Sequence, residues 1–373
     1  MTAALPPAAL PPGSTIGILG GGQLGRMTAL AAANLGYRCH IYDPEAGGPA
    51  SQVAAAATVA GWDDASALAA FARAVDVVTY EFENVPVETV ERLLRDVPVR
   101  PGPLALQVAQ HRVEEKRFAR HCGLETAPFW GVGTLDELAE GIAAVGVPAI
   151  LKTCRFGYDG KGQVAIDMDS SLNEAWLALA TDDAILERRI DFAAEISVIV
   201  ARGLDGEMRT FPPALNEHRG GILRRSLAPA PVDKAVAAAA EAAATSLAAG
   251  LDLVGLLAVE MFVTADGRVL INEMAPRPHN SGHWTQDGCA TSQFEQLVRA
   301  VAGLPLGPAD ALFETEMLNL IGDDADAWPS LMADPTAKLH LYGKSEIRGG
   351  RKMGHVNRRR RPLTPPASAA APA

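Results

Sequence analysis

The sequence predicts an α/β protein, and three observations carry that expectation. A strand, a glycine turn and a helix follow one another from Thr15, βα units continue to about Arg100, and a hairpin of two β-rich runs spans Val254 to Trp284. Pro101-Gly102-Pro103 and a Pro/Gly link before Pro308 punctuate the chain. They suggest a Rossmann-like domain over 15–103, a larger domain over 104–306 and a small C-terminal domain over 307–357, with disordered ends at 1–14 and 358–373.

In the first unit, Thr15 to Leu19 reads as a buried strand and Gly20-Gly-Gly22-Gln23-Leu-Gly25 fits GxGxxG before a helical run to Leu35. Arg38 to Tyr42 gives a second strand ending at Asp43, the place where a nicotinamide-binding fold keeps its ribose-binding acid. Any phosphate-bearing ligand can use the N–H groups of a helix start, and glycines also serve close strand–helix packing, so both readings stand ahead of NAD. Asp76 to Tyr80 and Val97 to Arg100 read as further strands. An open parallel sheet binds ligands at the carboxyl ends of its strands, where Glu81 and Glu83 fall; a charge pair at a helix start explains them equally well.

In the second unit, Leu104 to Cys122 reads as one amphipathic helix whose Arg112 and Lys116 belong to a solvated face. Val147 to Lys152 is a strand ending in a lysine, and the loop Phe156-Gly-Tyr-Asp-Gly-Lys-Gly162 returns to a strand from Gln163 to Ile166. No helix follows, so this is not a Walker A loop. A glycine loop between strands can fold over phosphates while Lys152 and Lys161 neutralise charge. Short strands carry Glu187 and Glu195, which suit ribose hydroxyls, and His218 alone reads as structural. The Ala-rich run from Asp233 to Gly250, interrupted by Lys234, Glu241 and Thr245, reads as a soluble helix closed by Gly250 rather than a membrane span.

The hairpin is the most informative stretch. With Asp266-Gly267 as a two-residue type I′ turn, Ala265 faces Arg268 and counting outward sets Glu260 opposite Glu273. Like charges in opposed positions are destabilising. A hard divalent cation relieves them, with Asn272 and Asn280 offering further oxygens; so does an arginine such as Arg277, or a proton on one Glu. His279 and His283 stand four apart, but Asn280-Ser281-Gly282 between them is poor helix sequence, which argues against zinc. Farther on, Tyr342-Gly343-Lys344 and Arg348 to His355 combine glycines with cations, a set that suits a phosphate.

Composition bounds the rest. A chain of 373 residues with 48% hydrophobic content can bury a sizeable core, and its net charge of -11 argues against a general nucleic-acid binder. Cys39, Cys122, Cys154 and Cys289 are scattered without metal or redox spacing and read as reduced thiols.

Four motifs occur in order: Gly20 to Gly25, Thr79-Tyr-Glu-Phe-Glu-Asn84, Gly157-Tyr-Asp-Gly-Lys-Gly-Gln163 and Asn272-Glu-Met-Ala-Pro-Arg-Pro-His-Asn-Ser-Gly-His-Trp-Thr285. In these the chain resembles the N5-carboxyaminoimidazole ribonucleotide synthetase family of the ATP-grasp superfamily, from about Thr15 to Asn357. The resemblance implies an ATP-grasp fold with a Rossmann-like pre-ATP-grasp domain. It implies an ATP-dependent C–N ligase that carboxylates 5-aminoimidazole ribonucleotide with bicarbonate through carboxyphosphate, in purine biosynthesis. Its partners would be small molecules, with ATP and Mg2+ as cofactors and neither nucleic acid nor membrane, in a cytoplasmic homodimer.

By the same resemblance, Glu260, Glu273 and Asn280 would hold the metal. Arg112, Lys152 and the loop Gly157, Tyr158, Asp159, Gly160, Lys161, Gly162 and Gln163 would hold ATP phosphates. Glu187 and the backbone of Arg188, Arg189 and Ile190 would face adenine, Glu195 the ribose, and His218 and Asn272 the nucleotide. Tyr158, Asp159, Lys161, Arg277 and Asn280 would serve the chemistry. The ribonucleotide would meet those five together with Gln23, Glu81, His279, Ser281, Lys344, Arg351 and Lys352. Two departures stand out: Thr153-Cys154-Arg155-Phe156-Gly157 replaces paired glycines, and a Pro/Ala tail replaces a final helical stretch where dimer contacts are made. Rival readings are an NAD-dependent dehydrogenase, a nucleotide-binding regulator without turnover, and an ATP-grasp ligase for another acid or amine.

Overall fold

The apolar run at the start of the chain forms β1 (Thr15–Leu19), buried from Ile16 onward in the computed structural model, which describes residues 9–157 and 162–363. It lies inside a parallel sheet of order β3-β2-β1-β4 with β2 (Arg38–Asp43), β3 (Ala56–Val59) and β4 (Val77–Tyr80). Such sheets are covered on both faces, which is why their central strands read as unbroken apolar runs. Helix α1 (Gln23–Asn34) covers one face, while α2 (Ala65–Arg73) and α3 (Val87–Leu93) pack Leu68, Phe71, Val90 and Leu93 on the other. The expected strand at 97–100 is only a parallel bridge of Val99 to Val78. Residues 9–14 are no loose leader: Leu10 donates its N–H to Ala302 O at 2.9 Å and accepts from Tyr37 Oη at 2.7 Å.

The helix expected over 104–122 is two helices, α4 (Pro103–Ala109) and α5 (Arg112–His121). The chain breaks at Gln110 because its amide reaches back to the carbonyls of Glu83 and Val85, and His111 then caps α5 through Glu114 N. A four-stranded antiparallel sheet of order β5-β8-β6-β7 follows, built from β5 (Phe129–Val132), β6 (Ala149–Thr153), β7 (Gln163–Ile166) and β8 (Ala184–Arg188). Helices α6 (Leu135–Val145) and α7 (Leu172–Leu179) cover one side of it.

The third sheet has nine strands. β9 (Ala194–Arg202), β10 (Met208–Thr210), β11 (Ala214–Arg219), β12 (Ile222–Ala228), β13 (Gly255–Val263) and β14 (Val269–Ala275) are joined by β15 (Phe313–Ile321), β16 (Ala337–Leu341) and β17 (Lys352–Pro362). The order β14-β13-β9-β11-β12-β15-β17-β16, with β10 paired to β9 off this path, means that the C-terminal strands extend the sheet of the middle region. Helix α8 (Lys234–Gly250) lays Val236, Ala240, Ala243, Ala244 and Leu247 on this sheet. Gly250 is its last helical residue rather than a left-handed cap; a side chain there would press on Phe118 and Cys122, and the left-handed turn falls at Asp252 (φ 44°). Among the described residues no helix is long and apolar enough to cross a membrane. After a short α9 (Thr285–Gly288), α10 (Gln293–Ala302) wedges Leu297, Val298 and Val301 into a core shared with β1, β4 and β13. The short α11 (Trp328–Ala333) precedes β16.

The basic run at 358–361, expected to be disordered, belongs to β17. Acids on β15 explain it: Arg361 pairs with Glu314 at 2.8 Å and Arg360 with Glu316 at 2.9 Å. Opposite charges across strands neutralise a run that would otherwise repel itself.

Candidate active site

Glu260 and Glu273 are cross-strand partners, but two deviations cancel to place them so. Thr264 N–H bonds to Arg268 O at 3.0 Å, closing a three-residue loop in which only Gly267 has positive φ (83°), instead of the type I′ turn. That moves the register by one, and a bulge beside Glu260 moves it back, leaving Asn272 as the extra residue. Strict alternation would send neighbouring side chains to opposite faces. The bulge instead lets Asn272 and Glu273 both line one cleft of about 560 Å³.

Arg112, Lys152, Gly157, Gly162 and Gln163 line the same cleft, as do Glu195 and His218. Glu260, Arg277, His279, Asn280 and Lys352 also line it. Tyr158, Asp159, Gly160 and Lys161 lie outside the described residues. Glu187, Arg188, Arg189 and Ile190 are not among the residues lining the cleft; Arg188 and Arg189 give their N–H groups to Pro128 O and Pro148 O.

Electrostatics explains how the carboxylates coexist. Glu260 is pushed up to about 8 by burial and by the charge of Glu273. Burial would raise Glu273 too, but Arg112, His279 and Lys152 outweigh it and hold it below the usual carboxylate range. Glu260 thus holds a proton more tightly than Glu273, and the arginine beside the pair is Arg112, 3.3 Å from Glu273, not Arg277. Ligand atoms of Glu260, Glu273 and His279 lie within 4.8 Å of one another. His279 Nδ1 already accepts from Ser281 N at 3.3 Å, so the oxygens suit a hard cation better. The Asn280 amide is buried beside them with no hydrogen-bond partner among the described residues, which leaves its oxygen available to a cation. The residues present thus fit Mg2+.

His218 has a carboxylate partner, Glu195 Oε2 at 2.8 Å from its Nδ1. Burial would lower its pKa, but that bond and the nearby Glu260 raise it. Glu187 is 4% exposed and is gripped by two ammonium groups, Lys116 Nζ at 3.0 Å and Lys152 Nζ at 2.5 Å. Burial alone would raise its pKa, and the two lysines drive it down instead.

At the N-terminal sheet, the loop after β1 is filled by the protein's own acids. Glu81 accepts from Gly22 N at 2.7 Å and Gly25 N at 3.3 Å, and Asp43 accepts from Gly21 N at 2.5 Å. A Cβ on Gly22 would lie 2.6 Å from Glu81 Oε1, so this glycine makes room for the carboxylate. The N–H groups and the acid that a dinucleotide would need are thus used internally. Lys344 is lowered to about 8 by burial and by Arg351, with Glu81 opposing, so these groups converge from the first and last parts of the chain. Gln23 and Ser281 are not on the cleft wall, and Ser281 Oγ turns inward to Ser197 Oγ at 2.8 Å. His283 is buried against Gln293 Nε2 at 3.0 Å, which removes it from any metal pair with His279. Burial pushes Cys39 and Cys154 up to about 12, so neither is a ready nucleophile.

Sequence reasoning missed three features: Lys116, read as solvated, is 1% exposed, Glu115, not singled out, is 2% exposed, and Glu83 has Arg277 as its partner. The spacing of Arg112, Glu115, Lys116 and Ala119 at i, i+3, i+4 and i+7 was the available signal.

Comparison with known proteins agrees with this geometry. Family models match as a ribonucleotide synthetase preATP-grasp domain over residues 14–110, an ATP-grasp domain over 117–294 and a phosphoribosylaminoimidazole carboxylase C-terminal domain over 315–361. N5-carboxyaminoimidazole ribonucleotide synthase of Brucella melitensis is 51% identical, over 94% of this chain and 97% of that protein. The structure of an N5-carboxyaminoimidazole ribonucleotide synthetase as its ADP complex superposes with a TM-score of 0.91 at 45% identity, covering 94% of each chain. The Aspergillus clavatus N5-carboxyaminoimidazole synthase with ADP and 5-aminoimidazole ribonucleotide gives 0.86 at 30% identity, covering 94% of this chain and 95% of that one. With relatives this similar matched over nearly its whole length, the chain belongs to the N5-carboxyaminoimidazole ribonucleotide synthase family of ATP-grasp ligases.

Proposed function

We propose that the chain carboxylates 5-aminoimidazole ribonucleotide with bicarbonate, consuming ATP and releasing ADP and phosphate, in purine biosynthesis. The observation that carries this reading is the Glu260/Glu273 cross-strand pair, which shares one cleft with Arg112, Lys152, Arg277 and Lys352. Phosphoryl transfer asks mainly for positioning and charge neutralisation, and this set supplies both without a protein nucleophile. Mg2+ on Glu260, Glu273 and the Asn280 oxygen would neutralise phosphate charge. Arg112 and Lys152 orient the phosphates, while Glu195 and His218 face the nucleoside end of the cleft. A bicarbonate oxygen attacks the γ-phosphorus, the bond from phosphorus to the bridging oxygen of ADP breaks, and carboxyphosphate forms. The exocyclic amine of the ribonucleotide then attacks the carboxyl carbon, or the carbon dioxide released from it; phosphate leaves and the amine gives up one proton. Lys344, Arg351 and Lys352 hold the substrate phosphate opposite Glu81. Family membership favours a cytoplasmic homodimer.

Magnesium-dependent ADP release with ATP and bicarbonate should rise at least about tenfold on adding 5-aminoimidazole ribonucleotide, with matching carboxylated product. Release that ignores the ribonucleotide would sink the substrate assignment and favour a related ligase.

Lys344 makes the substrate term pH-sensitive. Its ammonium, lowered to about 8, is charged below that pH and neutral above it. Phosphate affinity is therefore full below pH 8 and falls as pH rises through it. The KM for the ribonucleotide should climb between pH 8 and 9 in the natural protein and stay flat in Lys344→Met. The same slope in both proteins would remove Lys344 from the phosphate site.

A further inference from the structure

Strand β14 is an edge strand: β13 pairs with one side of it, and among the described residues the other side meets only a single parallel bridge, Thr126 to Ile271. A buried edge leaves N–H and C=O groups that must find partners. Here α5 and the segment that follows it supply them. Lys116 Nζ donates to Ile271 O at 3.3 Å and to Asn272 O, Glu115 Oε1 accepts from Met274 N at 2.5 Å, and Ile271 N donates to Glu125 O at 2.8 Å. These contacts bracket Asn272, the bulged residue, and the same ammonium reaches Glu187 at 3.0 Å, whose other oxygen meets Lys152. One buried amine thus joins the carboxylate wall of the cleft on β14 to the lysine wall on β6 and β8. At 1% exposure Lys116 lies behind the cleft lining, and Glu115, 2% exposed, meets the cleft only at its wall.

We propose that Glu115 and Lys116 are positioning residues for the magnesium–nucleotide site: they fix the β14 bulge that turns Asn272 and Glu273 together into the cleft, and Lys116 also steadies Lys152 through Glu187. This rests on the reading of the cleft as a nucleotide site. Groups that orient ligands in this way are typically worth about 10- to 100-fold in affinity or activity.

The test compares full-length Lys116→Met, Glu115→Gln and Glu115→Leu with the natural protein, measuring Mg2+-ADP affinity by calorimetry, KM for ATP and for the ribonucleotide, and Tm. Lys116→Met should weaken Mg2+-ADP and raise the KM for ATP by about tenfold or more, with less than about twofold change in the KM for the ribonucleotide. Glu115→Gln keeps a carbonyl oxygen for Met274 N and should behave like the natural protein, whereas Glu115→Leu should follow Lys116→Met. A lowered Tm with unchanged Mg2+-ADP affinity in Lys116→Met overturns the proposal, because a merely structural ion cluster gives that result. If Lys116→Met does not fold, equal ATP constants in the two Glu115 variants overturn it. A natural protein that binds no Mg2+-ADP overturns the nucleotide reading, and this inference with it.

Discussion

Glu273→Gln should abolish turnover, lowering kcat by about 10²- to 10³-fold or more while the protein stays folded. The substitution keeps shape and removes the charge that the site holds. In the natural protein Glu273 is the more acidic member of the pair and Glu260 the less acidic one. With Gln at 273, the charge that pushes Glu260 up disappears, so Tm should hold or rise slightly. Arg112 loses its carboxylate but keeps Gly157 O at 3.2 Å. Stability and activity thus move in opposite directions, as expected of a charge kept for binding rather than for folding. Calorimetry with Mg2+-ADP and the ADP-release assay check both halves. Near-normal activity in a folded variant would remove the metal assignment.

The hairpin shows what a sequence can and cannot carry. The facing of Glu260 and Glu273 was legible because side chains alternate along strands, yet the turn was read one residue short and the bulge not at all. Two local errors cancelled. Only the bulge explains why Asn272 and Glu273 act on one face, and nothing in the spacing of apolar residues announces it. Helix α5 failed for the opposite reason. Its charges lie at inward positions, and a pattern argument sends charges to solvent unless partners from distant elements are known; those partners are backbone groups of β14 and the carboxylate on β8. The break at Gln110 was also hidden, since its cause is the carbonyls of Glu83 and Val85, some 25 residues away. The basic tail was misread because the neutralising acids sit on β15, about 45 residues earlier. Local chemistry was readable; what depended on long-range pairing was not.

The Glu83–Arg277 pair gives the second large effect. Both side chains face the cleft, and the guanidinium Nε donates to Glu83 Oε2 while Nη1 donates to Pro278 O at 3.0 Å. Burial would raise Glu83, but Arg277 outweighs it and holds the carboxyl below its ordinary range. Arg277→Met removes the cation and strands the acid. Breaking a fully buried pair costs about 3–5 kcal/mol; with the Glu83 side chain 30% exposed, about 2 kcal/mol of stability is expected to be lost. Adding Glu83→Gln removes the stranded charge, so most of that Tm loss should return in the double variant. Activity should not return with it. If Arg277 serves the ribonucleotide and the carboxylation step, kcat/KM for the ribonucleotide should stay at least about 10²-fold down in both variants, with Mg2+-ADP affinity changed much less. A double variant that recovers activity along with stability would show that Arg277 only balances Glu83 in the fold, and the substrate phosphate would then rest on Lys344, Arg351 and Lys352 alone.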